Sequence, residues 1–280
     1  MNSKTKGILC IVTAAFCFAF MSLCVRLAGD LPSMQKILFR NLLAFFIVGA
    51  GLVRKPEKLE IHKGDLKFLF LRSICGTVGI VCNFYAIDHL VLSDANMLNK
   101  LSPFFTIIFS YFLLKERLTL FQGIAVVVAF MGALFIIKPT GNMTDPAALI
   151  GMLGAYSFVR VLGKRGVNGK LIVMFFSAFT CVFALPFLIG HFAPMKWWQV
   201  AAMIGAGFGG AGGQIFVTKA YFYAPAKEIS VFDYSQIMFS ALMGFLVLGQ
   251  KPDMLSLCGY VIICTTAVCM YFYNKNRRTL

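Results

Sequence analysis

Apolar positions along this chain come in long unbroken blocks, not in the alternation of a half-buried strand or the one-sided stripe of a surface helix. Ten runs stand out, at residues 7–25, 34–53, 66–87, 92–114, 119–138, 146–163, 171–190, 198–222, 228–249 and 254–273. Crossing a ~30 Å hydrocarbon core takes about 20 apolar residues. The pattern therefore predicts an all-α integral membrane protein of ten transmembrane helices, with little chain left for a soluble domain. The sixth run is the weakest, because Asp145 and Arg160 bracket a stretch that is short for a span. The first run lacks the small-residue end of a removable leader and reads as the first helix.

Composition agrees. The chain is 59% hydrophobic and 13% charged, against ~45–50% and ~25% in soluble domains. A net charge of +15 could suggest a nucleic-acid partner, but its placement points elsewhere. Lys4, Lys6, Arg54, Lys55, Lys58, Lys63, Lys115, Arg117, Lys164, Arg165 and Lys227 fall in loops on one side of the predicted membrane; Lys138, Lys196 and Lys251 hold the other side. Basic loops stay in the cytoplasm. The expectation is a multi-pass protein of the cytoplasmic membrane with both termini inside, and no nucleic acid. Nine cysteines lie almost wholly within the runs, without CxxC or histidine neighbours; they read as small packing residues.

The two halves align at an offset of 134 residues. Val25-Arg26 falls on Val159-Arg160, Lys36 on Lys170, Gly76 and Gly79 on Gly210 and Gly213, and Asp94 on Glu228. The expected domains are a first repeat over residues 1–138 and a second over 139–280, each of five helices. An odd number inverts the second copy, and inverted repeats place a substrate site near the midplane.

Three stretches carry a resemblance: "LFRNLLAFF" in the second run, "SDANMLNKLSPFFTIIFSYFLLKERLT" through the fourth, and "TKAYFYAPAKEISVFDYSQIMFSALMGFLVLGQK" through the eighth and ninth. They resemble the EamA-type transporters of the drug/metabolite transporter superfamily, over nearly the whole chain as two repeats. The second repeat departs from the pattern, with Ile237 where Pro103 maps and Gln250 where Glu116 maps. The resemblance implies ten helices, the inner membrane and solute transport through a central cavity. It does not imply one substrate.

Charges inside the runs are the candidate chemistry, since an ion at the bilayer centre costs at least ~2.5–3.5 kcal/mol. Arg40 lies roughly 10 Å deep in the second run and Lys100 roughly 12 Å deep in the fourth, at 1.5 Å per residue. Both are expected substrate contacts, joined by Asn96, Asn99, Asn83, Tyr85, Tyr234 and Gln214. Asp233, the one acid clearly inside a run, is expected to form a gating pair with Lys219, and Arg72 is a further gating candidate. Pro103 removes a backbone hydrogen bond and predicts a kink one turn from Lys100. A lysine and a proline here suit a wet cavity. Arg26, Lys36 and Arg160 read as interface anchors, while Asp94 and Glu228 read as carboxylates capping their helices. The "GAGFGGAGGQ" stretch, 205–214, matches a dinucleotide fingerprint only by accident; its small residues suit close helix packing.

These residues support a secondary transporter and no enzyme. The three histidines lie at or outside the membrane edges, and no nucleophile, metal-ligand, P-loop or cofactor motif is present. The mostly positive deep charge favours an anionic or zwitterionic solute, amino-acid or carboxylate-like. The alternative is an exporter of cationic or neutral drug-like compounds that uses Asp233 and aromatic residues. The expected partners are a small-molecule solute and the lipid bilayer. The pattern also allows coupling to a proton or counter-solute, and a homodimer.

Overall fold

The computed structural model describes residues 3–54, 63–101, 119–137, 169–223 and 230–276. All regular structure among them is helical: α1 Ser3–Leu27, α2 Ser33–Arg54, α3 Lys63–His89, α4 Leu92–Asn99, α5 Leu120–Ile137, α6 Gly169–Leu188, α7 Trp197–Tyr223, α8 Ser235–Leu248 and α9 Met254–Asn276. A 3₁₀ turn, Ser230–Tyr234, leads into α8. The predicted sixth run, 146–163, lies outside the described residues.

Six helices are long and apolar enough to cross a membrane, and two shorter apolar helices cover 120–136 and 232–248. Their outward faces suit lipid. Leu120 and Val127 on α5, Leu246 on α8 and Val261 on α9 are all more than 60% exposed. Such a density of bare apolar side chains marks a membrane-facing surface.

Local chemistry sets the helix ends. α1 stops at Gly29, whose φ of +64° few side chains tolerate. At α5, the Thr119 N–H donates to Gln122 Oε1 at 3.1 Å and the Gln122 N–H to Thr119 Oγ1 at 3.3 Å. This is the reciprocal capping box that a T-x-x-Q start predicts. Asp253 caps α9 by accepting from the Ser256 N–H at 2.9 Å. α8 ends at Gly249, φ +65°, where the Gln250 N–H reaches back to the Gly244 carbonyl at 3.0 Å.

The helices gather into two compact units, and each unit draws on both halves of the sequence. One holds α4, α5, α8 and α9 with residues 3–19 and 212–223. Within it α5 and α9 run antiparallel, since Phe121 stacks on Tyr273 at 4.3 Å while Gly132 meets Ile262 and Ile263. α4 packs on α8. The second unit holds α2, α3 and α6 with residues 20–27 and 197–211. There α6 packs on α2 and α3, with Thr77 and Thr180 hydroxyls 2.9 Å apart and Phe70 edge-on to Phe175.

Glycine permits the closest approaches, as the 205–214 stretch predicted. A side-chain carbon on Gly205 would lie 2.9 Å from Cys24 Sγ, and one on Gly207 2.5 Å from Leu43 Cβ. At α9 the obstacle is backbone. A carbon on Gly259 would lie 2.6 Å from the Gly132 carbonyl oxygen, which has no rotamer to escape into. Gly259→Leu is therefore expected to lower stability by about 1–3 kcal/mol, the range for overpacking. Gly123→Ala, with open space around it, is expected to be neutral or slightly stabilising. Thermal unfolding in detergent checks both; equal behaviour of the two variants would show that α5 and α9 do not touch in this way.

Candidate substrate site where two helices break

α4 is far shorter than the run that contains it. After Asn99 the bonds tighten to the i→i−3 kind, from the Lys100 N–H to the Met97 carbonyl at 2.9 Å and from the Leu101 N–H to the Leu98 carbonyl at 3.1 Å. The sequence gives the reason. A proline at 103 supplies no N–H for the carbonyl of residue 99, and its ring crowds that carbonyl. Pro103 itself, and with it the predicted kink, lies outside the described residues. α8 also starts late, at Ser235, after the 3₁₀ turn that carries Asp233.

The two interrupted helices run antiparallel and share a polar seam. The Leu92 N–H donates to Gln250 Oε1 at 3.0 Å, and Gln236 Nε2 donates to Asn96 Oδ1 at 2.8 Å. Lys100 Nζ donates to Asp233 Oδ2 at 2.5 Å, and the Tyr234 hydroxyl reaches the Lys100 carbonyl at 3.4 Å. The side chain of Lys100 is 10% exposed and that of Asp233 29%. Lys100 sits at the negative C-terminal end of α4 and Asp233 at the positive N-terminal end of α8, so each ion also suits its own helix dipole. Helix ends that meet inside a membrane are where carriers place charged ligand groups.

The seam corrects the expected gate. Asp233 pairs with Lys100, not with Lys219. Lys219 is exposed, and its ammonium lies over the Phe216 ring at 5.6 Å. Asp94 was expected to cap α4, yet it is buried and tied to α9. The Tyr260 hydroxyl donates to its Oδ1 at 2.5 Å and the Ser256 hydroxyl to its Oδ2 at 3.1 Å. Ser93 joins the cluster through Tyr260 at 2.8 Å. Asp94 thus fixes α9 against α4.

Of the other expected contacts, Asn96 lies in the seam with Lys100 and Tyr234, and Gln214 is half-buried on α7 in the same unit. The side chain of Asn99 lies outside the described residues. Arg40, Asn83, Tyr85 and Arg72 belong to the second unit. Arg40 is 7% exposed and donates to Asn41 Oδ1 at 2.9 Å. Asn83 is buried, and its amide nitrogen has no hydrogen-bond partner among the described residues. Tyr85 is exposed and stacks on His89 at 4.0 Å. The Arg72 guanidinium lies 4.3 Å from the centre of the Phe176 ring, a cation–π contact.

A second ion pair was hidden from sequence reasoning. Lys36, expected as an interface anchor, is fully buried, and its ammonium reaches both oxygens of Asp88 at 2.7 and 2.8 Å. The sequence placed Lys36 in the first turn of the second run and Asp88 just past the end of the third. Nothing in either run, however, says that they face one another. Arg26 likewise donates to the Ile87 carbonyl.

Comparison with known proteins agrees with this architecture. The EamA-like transporter family matches twice, over residues 5–138 and 145–272. The chain is 30% identical to the pseudopaline exporter CntI of Pseudomonas aeruginosa, with 95% of each chain covered. It is 24% identical to an S-adenosylmethionine uptake transporter of Rickettsia prowazekii, with 92% of each covered. Human solute carrier family 35 member G1 is 24% identical over 94% of this chain and 78% of that protein. A crystal structure 16% identical in sequence shares the fold, at a TM-score of 0.62 over 93% of this chain and 96% of that one. These relatives are transporters and not enzymes. With a family match over nearly its whole length, this chain is a membrane transporter that belongs to the EamA-like transporter family.

Proposed function

We propose that the protein is a secondary transporter that moves a small anionic or zwitterionic metabolite, amino-acid or carboxylate-like, across the cytoplasmic membrane by alternating access. The observation that carries this reading is the Lys100–Asp233 pair, held where α4 and α8 break. A structural role alone would be served as well by apolar side chains, since replacing a buried ion pair by packed hydrophobes is often neutral or stabilising. Keeping two ions at two helix ends makes sense if charged groups bind there. Arg40 and Asn83, buried in the second unit, are further polar groups suited to such solutes.

The two repeats, 1–138 and 139–280, supply the moving parts in this reading. Within the units, runs 134 residues apart pack on one another: α2 on α6 and α5 on α9. That pairing supports an inverted repeat, and the excess of basic loops on one side supports cytoplasmic termini. The Rickettsia relative supports a solute with amino-acid character, S-adenosylmethionine being an amino-acid derivative. Of the two bacterial relatives, one is an exporter and the other an uptake carrier, so kinship leaves the direction to experiment. Export of a cationic drug would need Asp233 as an available acid, and Lys100 holds it.

Purified protein in liposomes is expected to carry labelled amino acids or small carboxylates, and not quaternary amines. A ligand that binds the folded state at a hundred times its dissociation constant stabilises it by ~2.7 kcal/mol, so a thermal-shift screen selects the compounds. Equal flux by wild type and Lys100→Ala would sink the site. Stabilisation by quaternary amines alone would sink the substrate class.

A further inference from the structure

The ion pair has a consequence for selectivity. Lys100 is the basic group that would receive a carboxylate, but it carries its own counter-ion at 2.5 Å. The pair as a whole is neutral. A simple anion that takes Lys100 leaves Asp233 without its ammonium, beside a second negative charge. A simple cation that takes Asp233 strands Lys100, whose side chain is only 10% exposed. Either exchange trades one satisfied pair for another plus an uncompensated ion, and removing one partner of a buried pair is strongly unfavourable. A zwitterion avoids both penalties. Its carboxylate replaces Asp233 on Lys100, its ammonium replaces Lys100 on Asp233, and no ion is left over.

The surrounding backbone has the same polarity. The C-terminal end of α4 offers carbonyl dipoles to an ammonium, and the N-terminal end of α8 offers N–H dipoles to a carboxylate. At the first residue of α8, Ser235 Oγ is buried and has no hydrogen-bond partner among the described residues. Lys100 and Asp233 touch, so a ligand able to reach both must carry its two charges close together. An α-ammonium and an α-carboxylate on one carbon meet that condition, and charges at opposite ends of a long chain do not.

We infer that Asp233 is a specificity-determining residue, and that the Lys100–Asp233 pair admits ligands with an α-amino-acid head group by exchanging one protein ion pair for two protein–ligand pairs. This rests on the carrier reading above and narrows it. The pair is opened by the ligand's own charges, so ligands with one charge bind poorly however well their side chains fit.

The test uses the full-length protein with chemically matched probes. One set is L-methionine, its deaminated acid 4-(methylthio)butanoate and its decarboxylated amine 3-(methylthio)propylamine. A second set is L-phenylalanine, 3-phenylpropanoate and phenethylamine. Binding is read by thermal shift and calorimetry, and flux in proteoliposomes. In the wild type, the zwitterion of at least one set is expected to bind tighter than its acid and its amine by about tenfold or more, as sites built to satisfy a ligand polar group reject analogues that lack it. Asp233→Asn is expected to erase the preference over the acid. Asp233→Glu, which keeps the charge, is expected to retain it at lower affinity, and gives the answer if the asparagine variant fails to fold. Acid and zwitterion bound equally by the wild type, or a preference that survives in Asp233→Asn, would overturn the inference while leaving the carrier reading intact. If no probe binds or moves, the carrier reading for such solutes fails, and the inference with it.

Discussion

Asp88→Ala is expected to cost more stability than Lys36→Met, although both remove the same ion pair. Lys36 is fully buried, whereas the Asp88 side chain is 20% exposed. Deleting the aspartate leaves an ammonium with neither water nor counter-ion, a loss of about 3–5 kcal/mol for a buried pair broken from one side. Deleting the lysine leaves a carboxylate that water reaches, and methionine fills most of the vacated volume. The double variant, Lys36→Met with Asp88→Ala, is expected to recover much of the loss, because no charge is left buried. Thermal unfolding of the four proteins in one detergent measures the order. Equal losses in the two single variants would mean that Lys36 is not buried as described, and that α2 and α3 are not joined at this point.

Transport by Lys100→Ala is expected to fall by about 100-fold or more. A hydrogen bond to a charged group contributes about 1.5–3 kcal/mol, or roughly ten- to a hundredfold at 1.4 kcal/mol per decade. The remaining Asp233 then adds repulsion toward any carboxylate. This second term gives the prediction its sign. Removing Asp233 as well should restore part of the flux of a simple carboxylate, so Lys100→Ala/Asp233→Ala is expected to outperform Lys100→Ala alone. Ordinary additive damage predicts the reverse. Flux in liposomes of matched protein content decides between them, and a double variant no better than the single would show that Asp233 does not face the solute.

The hydrophobic runs alone determined the class of fold. A ~30 Å core sets the length of a span, and that requirement is local, so it can be read residue by residue. It located α1, α2, α3, α5, α6, α7 and α9 to within a few residues, and the end but not the start of α8. The capping pairs at Thr119–Gln122 and Asp253–Ser256 are local in the same sense, since each partner lies three positions from the other. Lys100 and Asp233 were identifiable one at a time, because an ion inside an apolar run is costly wherever it points. The EamA resemblance was visible in contiguous stretches that the family match bears out.

Partners were decided only by the tertiary structure. Asp233 was assigned to Lys219 because both were expected in the same half of the membrane; packing α4 antiparallel on α8 gave it to Lys100. Lys36 and Asp94 looked like residues at helix ends, an anchor and a cap, until Asp88 and Tyr260 arrived from other helices. Apolar runs of similar composition pack on one another in many rotations and registers, and with lipid as solvent no hydrophobic gradient selects one. Close contacts such as Gly259 on the Gly132 carbonyl, and the few polar groups that must find one another, make that choice, and their partners lie fifty or more residues away in the chain.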